Sequence, residues 1–181
     1  MTHQILALSG SLRAASVNTA LLRSVGLALP DGVDLQIYDY SAIPLFNSDI
    51  ETPTAVAKLK AAITEADAVL IATPEYNYSV PGVLKNAIDW ASRPAYKSPF
   101  LRKPTAVISA AASFVGGARA QQHMKTILLG MGSQVWAGPE LLVGSALGKV
   151  QGGEIVEAKT LEHIQRFALA FADWTSDQRR S

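Results

Sequence analysis

The chain has 181 residues, of which 49% are hydrophobic and 17% charged, enough apolar material for a core and outside the disordered class. Basic and acidic residues nearly cancel, leaving a formal charge of +1, and no run of Lys or Arg is longer than the pairs Arg102-Lys103 and Arg179-Arg180, so nucleic acid is not an expected partner. The absence of cysteine removes disulfides, thiolate catalysis and cysteine-bound metals.

At this length one domain over residues 1–181 is expected. His3, His123 and His163 are scattered without metal-ligand spacing, so no metal site is expected. The apolar stretch Ile5 to Leu8 lacks the basic flank and length of a signal peptide, and no segment reaches the roughly 18–20 apolar residues of a membrane span. A cytoplasmic protein with no membrane partner is the expectation.

In chain order, Gln4 to Ser9 reads as a buried strand. A polar loop follows, then a helix from about Asn18 whose apolar positions Leu21, Leu22, Val25, Ala28 and Leu29 recur at 3.6-residue spacing. Pro30-Asp31-Gly32 ends it. Val33 to Asp39 alternates as a second strand, Pro44 to Pro53 reads as a loop, and Val56, Leu59, Ile63 and Ala66 mark a second helix. Ala68 to Thr73 is the third strand, and Pro74 to Val80 a loop. Pro81 suits the start of a third helix, because its missing N–H is not needed there. Thr105 to Ala111 is a fourth strand, Gly116-Gly117 a break, and Ala120, Met124, Ile127, Leu128 and Met131 the buried stripe of a fourth helix. Gln134 to Ala137 supplies a fifth strand, and Leu161, Ile164, Phe167, Ala168, Phe171 and Trp174 mark a last helix.

Buried strands alternating with amphipathic helices predict an α/β fold with a parallel sheet covered on both faces. Right-handed crossovers and this size favour a flavodoxin-like, doubly wound, five-stranded sheet of order 2-1-3-4-5. Ligands of such folds bind beyond the carboxyl ends of the strands at the switch point, here between strands 1 and 3.

The loop after strand 1, Gly10 to Asn18, holds Ser11, Arg13, Ser16 and Asn18 at a helix N-terminus. Unpaired N–H groups, the positive end of the helix dipole, hydroxyls and one guanidinium together suit a phosphate. Plain N-capping by Ser16 or Asn18 is the alternative for those two residues, and both roles are compatible. A single glycine fits neither the G-x-G-x-x-G dinucleotide fingerprint nor the phosphate loop of nucleotide hydrolases. One terminal phosphate held by hydroxyls and one Arg suits FMN better than a pyrophosphate. The second loop, Pro74 to Gly82, sets prolines around Tyr76 and Tyr78, a stiff aromatic segment able to flank a planar ring system. A merely structural role with Ser79 as helix cap is the other reading there.

Leu8-Ser-Gly-Ser-Leu-Arg13 with Ser16 and Asn18, then Pro74-Glu-Tyr-Asn77, then Ser79 to Trp90 and Ser92-Arg-Pro94 closely resemble the NADPH-dependent FMN reductase family, which includes quinone, chromate and azo-dye reductases. The resemblance implies that Ser11, Arg13, Ser16 and Asn18 bind the FMN phosphate, and that Pro74, Glu75, Tyr76 and Asn77 lie along the isoalloxazine and ribityl chain. It further implies NADPH or NADH as co-substrate, a small-molecule electron acceptor, and a homodimer or dimer of dimers with the helix bearing Lys85, Asn86, Asp89 and Trp90 between subunits. A third loop, Ser109 to Arg119, looks like the family's flavin-flanking turn, through Ser109 or Ser113. Gly116 and Gly117 serve equally as a plain helix start.

Bound FMN performs the difficult chemistry in such enzymes, which accounts for the absence of a recognisable catalytic triad. Ping-pong hydride transfer through one site is the implied mechanism. The alternative from another class is a flavodoxin-like electron carrier that docks to protein partners. Carriers of that kind are usually strongly acidic, and this chain is not.

Overall fold

The apolar runs of the sequence become one parallel sheet. In the computed structural model, which describes residues 2–180, β1 (His3–Ser9), β2 (Val33–Ile37), β3 (Ala68–Ala72), β4 (Pro104–Ala110) and β5 (Gln134–Val135) lie in the order β2-β1-β3-β4-β5. This is the expected flavodoxin-like order. The register runs Leu35, Ile5, Ala68 across the first three strands, and Ile71 faces Val107 on β4.

Because strand side chains alternate faces, the sheet feeds two separate cores. Ile5, Ala7, Leu70 and Ile108 point to the side covered by α1 (Val17–Leu27) and α5 (Ala158–Arg180), where they meet Leu21, Val25, Ile164 and Phe171. Leu6, Leu8, Val69, Ile71 and Val107 point to the other side and pack on Leu59 and Ile63 of α2 (Thr54–Glu65), Leu84 and Ile88 of α3 (Gly82–Ala91), and Met124 and Leu128 of α4 (Ala118–Gly130). Each buried Leu, Ile, Val, Phe or Met among them contributes roughly 1.5–3 kcal/mol, so the continuous apolar strands dictate the sandwich of helices. Among the described residues, no helix is long and apolar enough to cross a membrane.

The fifth strand departs from expectation. Gln134 to Ala137 shortens to Gln134–Val135, and a further segment, β6 (Leu142–Val143), resumes pairing with β4 at Ser109 and Ala110. Trp136 itself still pairs with β4, its amide donating to Thr105 O at 2.7 Å, while Phe167, Phe171 and Trp174 of α5 pack edge-on against its indole. The chain folds back so tightly under that ring that a Cβ at Gly138 would lie 1.9 Å from it. A small hairpin of β7 (Val150–Gln151) and β8 (Glu154–Ile155) was also unforeseen; Gly152 and Gly153, both at positive φ, form its turn.

Candidate functional site

Gly10 explains why the first and second loops meet. A Cβ there would stand 2.8 Å from Pro74 Cδ and 3.1 Å from Thr73 Cα, so only glycine lets the end of β1 run flush against the end of β3. The loop then turns into α1, with the Ser16 amide donating to Arg13 O at 3.1 Å. Ser16 is the N-cap, its Oγ accepting from the Thr19 amide at 3.3 Å. The first-turn amides of a helix lack intrahelical partners, and α1 carries no acidic residue in that turn, so its positive end is uncompensated. Behind the loop, the buried Tyr40 hydroxyl donates to Ser9 O. Burial, with Asp39 adding to it, pushes the Tyr40 phenol well above its usual range, so this brace stays protonated.

Asn18 does something other than capping. It is 1% exposed, and its Nδ2 donates to Ala110 O while its Oδ1 accepts from the Ala110 amide, both at 2.9 Å. The neighbouring strand β3 ends at Ala72, and the Thr73 amide makes the last backbone bond from that side, donating to Ile108 O at 2.9 Å. The Asn18 carboxamide therefore stands in for a peptide group and continues the ladder of β4 by one step. Asn18 lines the cavity described below, but its carboxamide bonds the main chain.

The second loop is stiff for a reason beyond its prolines. Tyr76 and Ser79 exchange both backbone hydrogen bonds, at 2.9 and 3.0 Å, around Asn77 (φ 49°) and Tyr78 (φ 67°). Two consecutive left-handed residues make a tight turn of the I′ kind. Asn77 sits at its exposed tip, and Tyr76 is 47% exposed at its base. Ser79 does not cap α3; its hydroxyl meets His123 Nδ1 at 3.0 Å, and Pro81 is the cap position, its carbonyl accepting from Lys85. Glu75 reaches the start of α4, where it accepts from the Arg119 amide at 3.1 Å and from Arg119 Nη1 at 2.8 Å.

These loops enclose a cavity of about 210 Å3 at the carboxyl edge of the sheet, between β1 and β3. Seven expected site residues line it: Ser11, Arg13, Ser16, Asn18, Pro74, Glu75 and Tyr76. Three do not. Asn77 projects from the turn, and Ser113 is exposed outside the cavity. Ser109 is fully buried, its hydroxyl donating to Gly116 O and accepting from Gln121 Nε2 at 2.9 Å, so it anchors the start of α4 instead. The wall on that side is main chain and methyl groups from Ala110, Ala111 and Ala112, with Leu147 from a short helical turn. Ala110 and Ala111 close the predicted fourth strand and Ala112 follows it, so the alanines were findable by that position; no sequence signal marked Leu147. The Pro44–Asp49 loop lies away from the cavity, pinned to α3 by Asn86 and by the Trp90 indole, both donating to Pro44 O at 2.9 Å.

A cleft at the switch point of a 2-1-3-4-5 sheet, with an uncompensated helix N-terminus and an aromatic turn at its rim, places the chain among flavodoxin-like folds. Residues 3–148 match the family of NADPH-dependent FMN reductases, and the chain belongs to that family of oxidoreductases. An NAD(P)H-dependent FMN reductase of Pseudomonas aeruginosa is 42% identical over 175 residues, spanning 94% of each chain. A quinone reductase of Escherichia coli is 38% identical over 178 residues, again 94% of each. Among solved structures, the flavoenzyme FerB of Paracoccus denitrificans, an NAD(P)H:(acceptor) oxidoreductase, superposes with a TM-score of 0.89 at 34% identity, covering 98% of this chain and 99% of its own.

Proposed function

We propose that the chain holds FMN in this cleft, takes hydride from NADPH or NADH, and reduces a small acceptor such as a quinone, free flavin, chromate or azo compound. Over one cycle with a quinone, NADPH and one proton give NADP+ and the hydroquinone. The observation that carries the reading is the single anion cradle: Arg13, Ser11, Ser16 and the first turn of α1 around one small cavity. That donor set fits one terminal phosphate, and the close approach at Gly10 supplies its back wall. The cavity is smaller than the roughly 300–1,000 Å3 of pockets that enclose a whole small ligand. It suits the phosphate and sugar end and leaves a flat ring at the rim beside Tyr76.

FMN, when bound, supplies the hydride and electron chemistry. The chain's residues then have simpler work: Arg13 neutralises phosphate charge, α1 orients it, and Pro74 and Tyr76 shape the rim. One opening serves coenzyme and acceptor, so they bind in turn and the kinetics are ping-pong. A cytoplasmic setting, where reduced nicotinamide coenzyme is plentiful, fits this use. We also infer a homodimer or dimer of dimers. The face suited to it is the Pro44–Asp49 loop on α3, with Leu45 83% and Phe46 36% exposed; Asn86 and Trp90 contribute by holding that loop rather than by reaching outward.

The test is spectroscopic. Purified protein is yellow or takes up FMN in preference to FAD; anaerobic NADPH bleaches it rapidly; added quinone restores the colour; and double-reciprocal plots run parallel. Tight FAD binding with no response to FMN refutes the cradle. Bleaching that needs a separate reductase protein makes the chain an electron carrier instead.

A further inference from the structure

We propose that Arg119 is a positioning residue: from the first turn of α4 it clasps the Glu75–Ser79 segment and so sets how tightly the chain grips a flavin ring that Arg119 itself does not touch. The proposal rests on the FMN reading above.

The segment that forms the rim is intrinsically reluctant to hold its shape. Tyr78 is a bulky residue at φ 67°, next to Asn77 at φ 49°, and the left-handed region is disfavoured for side chains with a Cβ. Tyr78 is 69% exposed and Tyr76 47% exposed, so burial does little to pin the turn. What opposes this is a set of ties to α4. The Arg119 guanidinium stacks over the Tyr78 ring at 4.5 Å and donates to Glu75 Oε1 at 2.8 Å. Its backbone amide donates to Glu75 Oε2 at 3.1 Å. Both Glu75 oxygens are thereby engaged, and the side chain, 12% exposed, acts as a strut instead of a free ligand. His123, one turn further along α4, meets Ser79 Oγ.

The helix end that bears Arg119 is itself fixed. Gly117 has φ 89°, and a Cβ on it would lie 2.9 Å from Ser109 Cβ. Gln121 Nε2 bridges Ser109 Oγ and Leu141 O at 2.9 and 2.8 Å. A rigid line therefore runs from the end of β4, through Ser109 and Gln121, to Arg119, and from there to Glu75 and Tyr78 on either side of Tyr76. Arg119 is not among the residues that line the cavity, which separates its role from that of Arg13.

The test compares two ligands, FMN and riboflavin, which share the ring but not the phosphate, in fluorescence titrations of the flavin-free protein. In R119A both affinities fall by the same factor, about threefold to thirtyfold, the span one exposed ion pair and one cation–π contact supply. The FMN-to-riboflavin ratio is unchanged. R13A, by contrast, weakens FMN alone. R119K keeps a cation on α4 but no planar group over Tyr78, and recovers part of the loss at an unchanged thermal midpoint. In an E75Q background the R119A effect shrinks, because the two act as one unit. Affinities of R119A within about twofold of wild type for both ligands overturn the clasp, as does a selective loss of FMN, which makes Arg119 a phosphate ligand. Wild-type protein that binds neither ligand removes the FMN reading and the clasp together; wild-type binding with an unmoved R119A removes the clasp alone.

Discussion

Replacing Asn18 by Ala separates two roles that one side chain has been given. In the folded protein its carboxamide pairs with both polar groups of the Ala110 peptide at a site 1% exposed. Truncation leaves an N–H and a C=O without partners, at about 1–3 kcal/mol each when nothing replaces the bond. Ala110 borders the cavity, so water reaches the wound and offsets part of the cost. The expected loss is therefore about 2–4 kcal/mol, a large share of the usual 5–15 kcal/mol total. Urea unfolding of the flavin-free protein measures it, as a lower midpoint at constant m, and the Ala110 amide should exchange with solvent faster. A flavin-free variant within about 0.5 kcal/mol of wild type, weakened only toward FMN, would return Asn18 to the phosphate-ligand role its position in the sequence invites.

Arg13→Ala is expected to weaken FMN by about 1.5–3 kcal/mol, roughly tenfold to a hundredfold; an unchanged calorimetric affinity puts the phosphate elsewhere. Tyr40 has its phenol pKa raised in the folded state above the ordinary 10.0, chiefly by burial. Its contribution is thus whole below pH 10 and drains away as pH rises beyond it, by at most about 1.4 kcal/mol per pH unit. Wild type should lose stability faster than Tyr40→Phe above pH 10; equal slopes in denaturant midpoints refute the brace. For assembly, light scattering should give twice or four times 19.2 kDa, and Leu45→Glu should lower that mass. A wild-type species of 19.2 kDa rules out the dimer.

The fold was readable because its strands are continuous apolar runs and its helices amphipathic, two periods that local sequence carries openly. The cleft was readable because a doubly wound sheet places its ligand where β1 and β3 diverge, and the residues after those strands are unusual. What escaped the sequence is long-range pairing. Asn18 finds Ala110 across 92 residues, and no helix-start pattern distinguishes that partner from a phosphate. Ser109 looked available after a strand but is consumed by Gly116 and Gln121. The fifth strand makes its last bond to β4 at the Trp136 amide, and Gly138-Pro139, both poor strand residues, carry the chain away from it. The β7–β8 hairpin was a different failure, since Gly152-Gly153 is a local turn signal that stood in plain view.

The interrupted fifth strand limits how copies of this chain meet. A sheet edge is normally a template onto which another chain adds a strand, which is why natural proteins blunt such edges. Here the outer edge of β4 is covered by two dipeptide strands separated by a fold containing Gly138 and Pro139. No uninterrupted row of donors and acceptors is offered to a neighbour, so open-ended stacking of sheets has no foothold on that side. Contact between copies is thereby left to helical and loop surfaces.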